Sequence, residues 1–546
     1  MWYYHCTKSM WQRIWNRINT TVTGGAIVIA AASVLSRLLG LVRDRLLASS
    51  FGAGDVLDSY YAAFKLPDLI FNILVLGALS SAFIPVFIRY ISQRKENETM
   101  QSAWEMASAV LNILLIGLIA VGILCFIFAD YLMPLIAPGF TGEKREITIH
   151  LTRIMLVAIV FFGASNIATG ILTSFKKYLN FAFAPVMYNL GIIFGILVLV
   201  PRMGIYGLGY GVVIGAVAHL LVQLPSIMKL GFRYRPVLSL KHPGVREVGK
   251  LMLPRAFGLA VSQVEQLMST IIGSTLAAGS VAVFSLANNL QSFPINVVGV
   301  SLAVATFPIF SEAFARNDVG HFVSHFSKAF RRILFLIIPT SVLILLLRAQ
   351  IVRVVLGSGN FSWQDTYLTA QTIGFFSLSL FAQSLIPMLA RSFYALHDTK
   401  TPVKVGIVSV AINVGVALAI TPMLGVVGLG ISFSLASVVN MMALLLILRR
   451  RVGYLDDHQI AWSTVKVLLI SAIMGAIIIG MKYFLALGVD MSTFVGIFIQ
   501  GVGAGLVGIV SYIILAIMFR CDEISLITRW VQRMRAQFFS SPSSNG

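Results

Sequence analysis

Fourteen apolar stretches of about 20 residues follow one another along the chain, centred near residues 35, 76, 118, 160, 190, 215, 262, 298, 340, 380, 411, 436, 474 and 505. A helix of that length rises about 30 Å, the depth of a bilayer's hydrocarbon, so each stretch is read as a crossing. With no water to satisfy backbone groups at that depth, the crossings must be helical. Charged residues are 11% of the chain, where a soluble domain carries about 25%. The expected class is therefore an all-α polytopic membrane protein. Pro67, Pro254 and Pro294, with polar neighbours, interrupt the second, seventh and eighth stretches. Such breaks are tolerated where a helix lines a cavity.

Lys and Arg outnumber Asp and Glu by 41 to 21, for a formal net charge of +20. The hydropathy excludes a soluble nucleic-acid binder, and the position of the charge explains it instead. Six connecting segments on one face, among them "RYISQRKENE", "FKKYLNF", "HDTKTPVK" and "RRRVGYLDD", carry two to six basic residues each. On the other face "SSFGAGDV", "TLAAGS", "PMLGVVG" and "ALGVDM" carry none; the exceptions are "TGEKRE", Arg202, Arg348 and Arg353. The positive-inside rule makes the basic face cytoplasmic, with both termini on it. The start lacks the apolar core and cleavage site of a signal peptide. Its Met10, Trp11, Ile14, Trp15 and Ile18, with Arg13 and Arg17 between, fit a basic amphipathic helix in the headgroup region over residues 1–22. Cys6, Cys125 and Cys521 have neither metal-ligand nor disulfide spacing.

An internal repeat organises the chain. "PRMGIYGLG" (Pro201–Gly209) recurs as "PMLGVVGLG" (Pro422–Gly430) with its glycines in register. "LIAPGF", ending at Phe140, is echoed by "VLGSGNF", ending at Phe361, and "TSFKKY…AFAPVMYNLGI" by "RSFYALHDTKTPVKVGIVSVAINVGV". An offset of six helices keeps both copies in the same orientation, related by an axis along the membrane normal. The expected layout is a six-helix lobe over 23–230, a pseudo-symmetric partner over 231–450, two additional helices over 451–520, and a basic tail over 521–546. Facing lobes of this kind describe an alternating-access transporter.

Several charges lie where hydrocarbon should be, and each costs about 2.5–3.5 kcal/mol on insertion scales. Arg37 and Asp44 share one face of the first helix at seven residues' spacing, with Arg43 and Arg45 beside them. Asp58 and Lys65 repeat the spacing before Pro67; the seventh helix offers Arg255 and Glu265, and the eighth Asn288 and Asn289. A cleft lined this way is mainly basic and suits an anionic headgroup, because guanidinium binds phosphate and carboxylate bidentately. Other readings stand beside this one: Arg43 and Arg45 snorkelling from a helix end, Asp44 neutralising an arginine, Glu265 partnering Arg255, and the asparagines holding helices together.

"SRLLGLVRD", "FGAGDVLDSYYAAFKLPD", "GALSSAFIPVF", "APGF", "FAPVMYN" and "DTKTPVKV" resemble motifs of the MurJ (MviN) lipid II flippases, in the multidrug/oligosaccharidyl-lipid/polysaccharide exporter superfamily. The resemblance runs from about Ser33 through the twelfth helix. It implies fourteen helices, a central cationic cavity, and a groove for the lipid tail formed by the last two. It further implies movement of undecaprenyl-pyrophosphoryl-disaccharide-pentapeptide to the outer leaflet of a bacterial inner membrane. The family's charged positions match Arg37, Arg43, Asp44, Asp58 and Lys65. Where many relatives carry an arginine after "KLPN/DLL" this chain has Phe71 and Asn72, and where they read "ADRLxxxP" it has "ANNLQSFP". Arg255 is the nearest replacement, and Glu265 and Asn289 complete the expected substrate-binding set.

No P-loop, HExxH or catalytic triad occurs, and the longest loop, about 231–247, is basic with Glu247 its one acid. A polyprenyl-phosphate glycosyltransferase is thereby disfavoured; the expectation is a transporter with no cofactor, driven by a counter-ion or the membrane potential. A flippase for another polyprenyl-linked oligosaccharide and a non-transporting scaffold among wall-synthesis or division proteins stay open. Membrane lipids are the expected surroundings.

Overall fold

The computed structural model describes residues 22–76, 82–92 and 100–524, those of 22–27 and 253–262 by their backbone alone. The expected amphipathic segment at 1–22 and nearly all of the tail fall outside the described residues. What is described is helical, with no strand. It divides into two compact units, one reaching Val283 and taking in Ser358–Ser362, the other holding the remainder.

The first unit contains α1 (Val22–Phe51), α2 (Asp55–Ala63), α3 (Lys65–Phe71), α4 (Ile84–Ser92), α5 (Gln101–Ile127), α6 (Ala129–Ile136), α7 (Gly142–Ser174), α8 (Tyr178–Phe194), α9 (Val200–Met203), α10 (Tyr206–Leu221), α11 (Leu224–Lys229) and α12 (Pro243–Ser274). α10 packs on α7 and α8, and α1 lies along α8. The α8–α10 seam is built of glycine: a Cβ on Gly191 would stand 2.2 Å from the Cα of Gly215, so the two backbones touch. Small residues at a seam allow this approach, and van der Waals packing then holds helices that gain nothing hydrophobic from leaving lipid.

α13 (Ser280–Pro294) begins in the first unit and enters the second, which continues through α14 (Ser301–Ala315), α15 (Val319–Leu356), α16 (Trp363–Leu378), α17 (Leu380–Ala395), α18 (Lys400–Leu424), α19 (Val426–Val452), α20 (Asp457–Ala486) and α21 (Phe494–Met518). The last two helices pack against α15. Tyr512 donates to the carbonyl of Phe335 at 2.7 Å, and Gln350 donates to Gln500 at 2.8 Å. Within α15 the Arg331 guanidinium, 7% exposed, meets the Glu523 carboxylate at 2.5 Å, and Ser463 of α20 donates to the same oxygen.

Among the described residues ten helices are long and apolar enough to cross a membrane, eleven with the pair α16–α17, bent by 49°. The other three expected crossings fall on α1, which carries the buried charges, on α12, and on α2–α4, which is broken into short pieces. π turns sit at Asn72–Leu76, Gly195–Leu199 and Ile295–Val300. α12 packs within the first compact unit: Val248 is buried with Phe87 and Trp104, and Asn72 donates to Gln263 at 3.2 Å.

The repeat has a geometric counterpart. Gly204 and Gly425, 221 residues apart, both take φ near +60° with ψ near −150° to −140°, a conformation essentially reserved for glycine. Their amides close on Val200 and Thr421, again 221 apart. Lys176 and His397 end α7 and α17 with φ +57° and +56°, and the amides that follow reach back to Leu172 and Phe393 in matching Schellman closures. The amides of Phe140 and Phe361 close equivalent turns on Ala137 and Ser358.

Candidate functional site

The charges of α1 are arranged by a residue 146 positions away. Arg43 donates from Nε (3.0 Å) and Nη2 (2.8 Å) to one oxygen of Asp44, and from Nη1 (3.2 Å) to the side-chain oxygen of Asn189 on α8. Asn189 in turn donates to the Ser36 carbonyl (3.1 Å), the Ser36 hydroxyl (3.2 Å) and the Pro185 carbonyl (3.1 Å). The amide therefore spans the α1–α8 seam and holds the guanidinium inward; it does not extend to a helix end. Asp44 is 3% exposed and balances the adjacent charge. Of the five guanidinium N–H groups three are engaged among the described residues, which leaves one N–H on each of Nη1 and Nη2.

Tyr60 and Tyr61 interact electrostatically with Arg43, and their rings meet edge to face at 5.5 Å. The Tyr61 hydroxyl is buried with no hydrogen-bond partner among the described residues. An orphaned buried donor is rare and marks a place where a partner belongs. Arg37, half-buried, makes no hydrogen bond to a described residue. Lys65 interacts with Asp68 one turn on. Arg37, Arg43, Asp44 and Lys65 thus lie in the first unit with one guanidinium tethered. Among the described residues no group of three or more His, Cys, Asp or Glu is placed to hold a metal ion.

Asp58 is buried and fully engaged within the first unit. Its carboxylate meets Lys144 Nζ at 2.7 Å and accepts the backbone N–H of Gly279 (2.7 Å) and Ala282 (2.8 Å) at the start of α13. Both oxygens are engaged and the residue is 1% exposed. Lys144 also binds Asp55 at 2.7 Å, and Arg153 binds Asp130 at 2.6 Å. The basic residues that broke the loop rule at "TGEKRE" thus have local acidic or carbonyl partners, Arg145 donating to the Asp130 carbonyl.

Arg255 lies on α12, with its side chain outside the described residues. Glu265, on the same helix, has no hydrogen bond to its carboxylate among the described residues; its carbonyl accepts from Ser269. Asn72 is tied to Gln263 and to the Asp68 carbonyl. In the second unit Asn288 accepts from Gln291, which accepts from Gln383, a chain of amides with Asn289 half-buried beside it. Asn189, Tyr61 and Lys144 were missed as contributors, although "FAPVMYN" and "DSYYAAF" contain the first two.

A family model described as "Lipid II flippase MurJ" matches residues 47–499. The chain belongs to this family. Among MurJ relatives, the "Lipid II flippase MurJ" of Burkholderia cenocepacia is 28% identical over 85% of this chain and 90% of its own length. The "Probable lipid II flippase MurJ" of Rickettsia prowazekii is 29% identical, over 85% and 91%. A solved structure of "Lipid II flippase MurJ, inward closed conformation" superimposes with a TM-score of 0.75 at 26% identity, covering 91% of this chain and 100% of that one. A solved structure described as the inward-facing conformation of a MATE family transporter of the MOP superfamily shares the fold alone, at TM-score 0.63 and 18% identity. The family and the run of apolar helices make this chain a multi-pass membrane protein.

Proposed function

We infer that this chain is a lipid II flippase. The membership across residues 47–499 carries the reading, and the tethered guanidinium of Arg43, with one N–H left on each of Nη1 and Nη2, supplies the chemistry. All fourteen expected helices cross the inner membrane: twelve form two six-helix lobes, and α20 and α21 offer the lipid tail an apolar surface. The basic face is cytoplasmic. Arg43 and Arg37 neutralise the pyrophosphate and peptide carboxylates of the headgroup, and Lys65 adds a further cation. This offsets the desolvation that blocks passage of an anion through a bilayer. Rocking of the lobes then exposes the headgroup to the outer leaflet, with a counter-ion or the membrane potential as the drive.

A second reading, a flippase for a related polyprenyl-linked oligosaccharide, is favoured by Asn72 and Asn288, neutral where many relatives have cations. One experiment separates these readings from a non-transporting scaffold. Cells depleted of their own lipid II flippase are complemented with this chain and assayed for lipid II on the outer leaflet. Rescue, lost in Arg37→Ala or Arg43→Ala while the protein stays in the membrane, supports lipid II transport. Growth without outer-leaflet lipid II supports the scaffold, and failure of the wild-type chain supports another cargo.

A further inference from the structure

We propose that the first unit carries a binding site for an anionic phospholipid of the bilayer. One acyl chain occupies an apolar hollow between α5 and α12, and the phosphodiester sits at Arg246 and Lys250. The hollow measures about 360 Å³, and its wall, from residues such as Leu74, Val110, Leu114, Ile167, Val248 and Met252, is apolar except for Arg246. Two glycines open it from opposite sides. A Cβ added to Gly117 of α5 or to Gly249 of α12 would meet nothing within 4 Å. Val110 and Leu118, both on its wall, are eight residues apart on one helix, so the hollow runs about 12 Å along α5. At ~30 Å³ for each water-sized group it holds about a dozen such groups, the proximal part of an acyl chain. Water finds no partners on such a wall, and a dry apolar space beside a bilayer fills with hydrocarbon.

The charges at the mouth specify the headgroup. Glu247 is taken by Arg89, and Glu105 by Arg235 at 2.6 Å. Arg246 donates from Nε to the Leu240 carbonyl at 3.4 Å, and its terminal nitrogens have no partner among the described residues. Lys250 follows four residues later on the same helical face and is exposed. Among the described residues no carboxylate pairs with these two cations, and beside an apolar hollow they complement one phosphate that carries an acyl chain.

The test uses the full chain in nanodiscs of phosphatidylglycerol and phosphatidylethanolamine in equal parts, with retained lipids counted by native mass spectrometry. The wild-type protein is expected to keep one phosphatidylglycerol at least tenfold over phosphatidylethanolamine. Gly117→Leu and Gly249→Leu fill the hollow and should remove the retained lipid. Arg246→Gln, at an exposed position that leaves folding intact, should keep a lipid and lose the preference. Equal retention of both lipids by the wild-type protein, or unchanged phosphatidylglycerol in Arg246→Gln, overturns the proposal. Displacement of phosphatidylglycerol by undecaprenyl phosphate at equimolar amounts would give the hollow to a polyprenyl tail and also overturn it.

Discussion

Replacing Asp44 with Asn leaves the Arg43 guanidinium in place and removes the charge that balances it. The two meet at 2.8 Å, which at an effective dielectric near 20 corresponds to about 6 kcal/mol of attraction. A fifth of the Arg43 side chain reaches solvent, at 21% exposed, so water screens part of that. The expected net loss is about 3 kcal/mol, the lower end for breaking a buried pair. It corresponds to about a hundredfold in the folding equilibrium. Denaturation in detergent measures it. The double variant Arg43→Gln with Asp44→Asn removes both charges, and should regain most of the loss while lipid II transport stays absent. If Asp44→Asn is as stable as the wild type, or if the two losses simply add, Asp44 does not balance Arg43 and the site is organised differently.

Further expectations concern the scaffold. Gly191→Val forces a branched side chain into the Gly215 backbone and should cost about 3 kcal/mol or abolish membrane accumulation, read by fluorescence-detected size exclusion. Glu523→Gln leaves the buried Arg331 charge only Asp522, at 3.7 Å, and should cost about 3 kcal/mol; double substitution with Arg331→Met should recover much of the lost melting temperature. Burial alone would raise the Asp398 carboxyl. Bonds from the Thr401 hydroxyl and amide, the Arg451 charge and the Lys400 amide outweigh burial and bring it below the usual range. Its contribution is therefore present above the unfolded value near 3.9 and lost as pH falls through the lower folded one. The wild-type melting temperature should fall more steeply than that of Asp398→Asn as the solution is acidified below about pH 4.

The spans, the charged loops and the repeated corners could be read from the chain because each is a local property. Hydropathy marks a helix of bilayer length, and Gly204 and Gly425 mark turns that other residues cannot make. Partners across the fold could not be read. Asn189 lies 146 residues from Arg43 and Lys144 lies 86 from Asp58. Helical spacing reports only neighbours within one helix, so it shows nothing of the bonds Asp58 makes at the start of α13. The allegiance of α12 was hidden for the same reason: Val248 and Gln263 show nothing of the aromatic cluster and the Asn72 amide they meet.

The π turn at Ile295–Val300 places one surplus residue between α13 and α14. One residue of α-helix corresponds to about 100° of rotation, so the turn sets the angle between the polar stretch before it and the apolar stretch after it. Shortening that segment by a single residue would leave the hydropathy of the sequence almost untouched and swing a whole flank of side chains about a quarter of the way round.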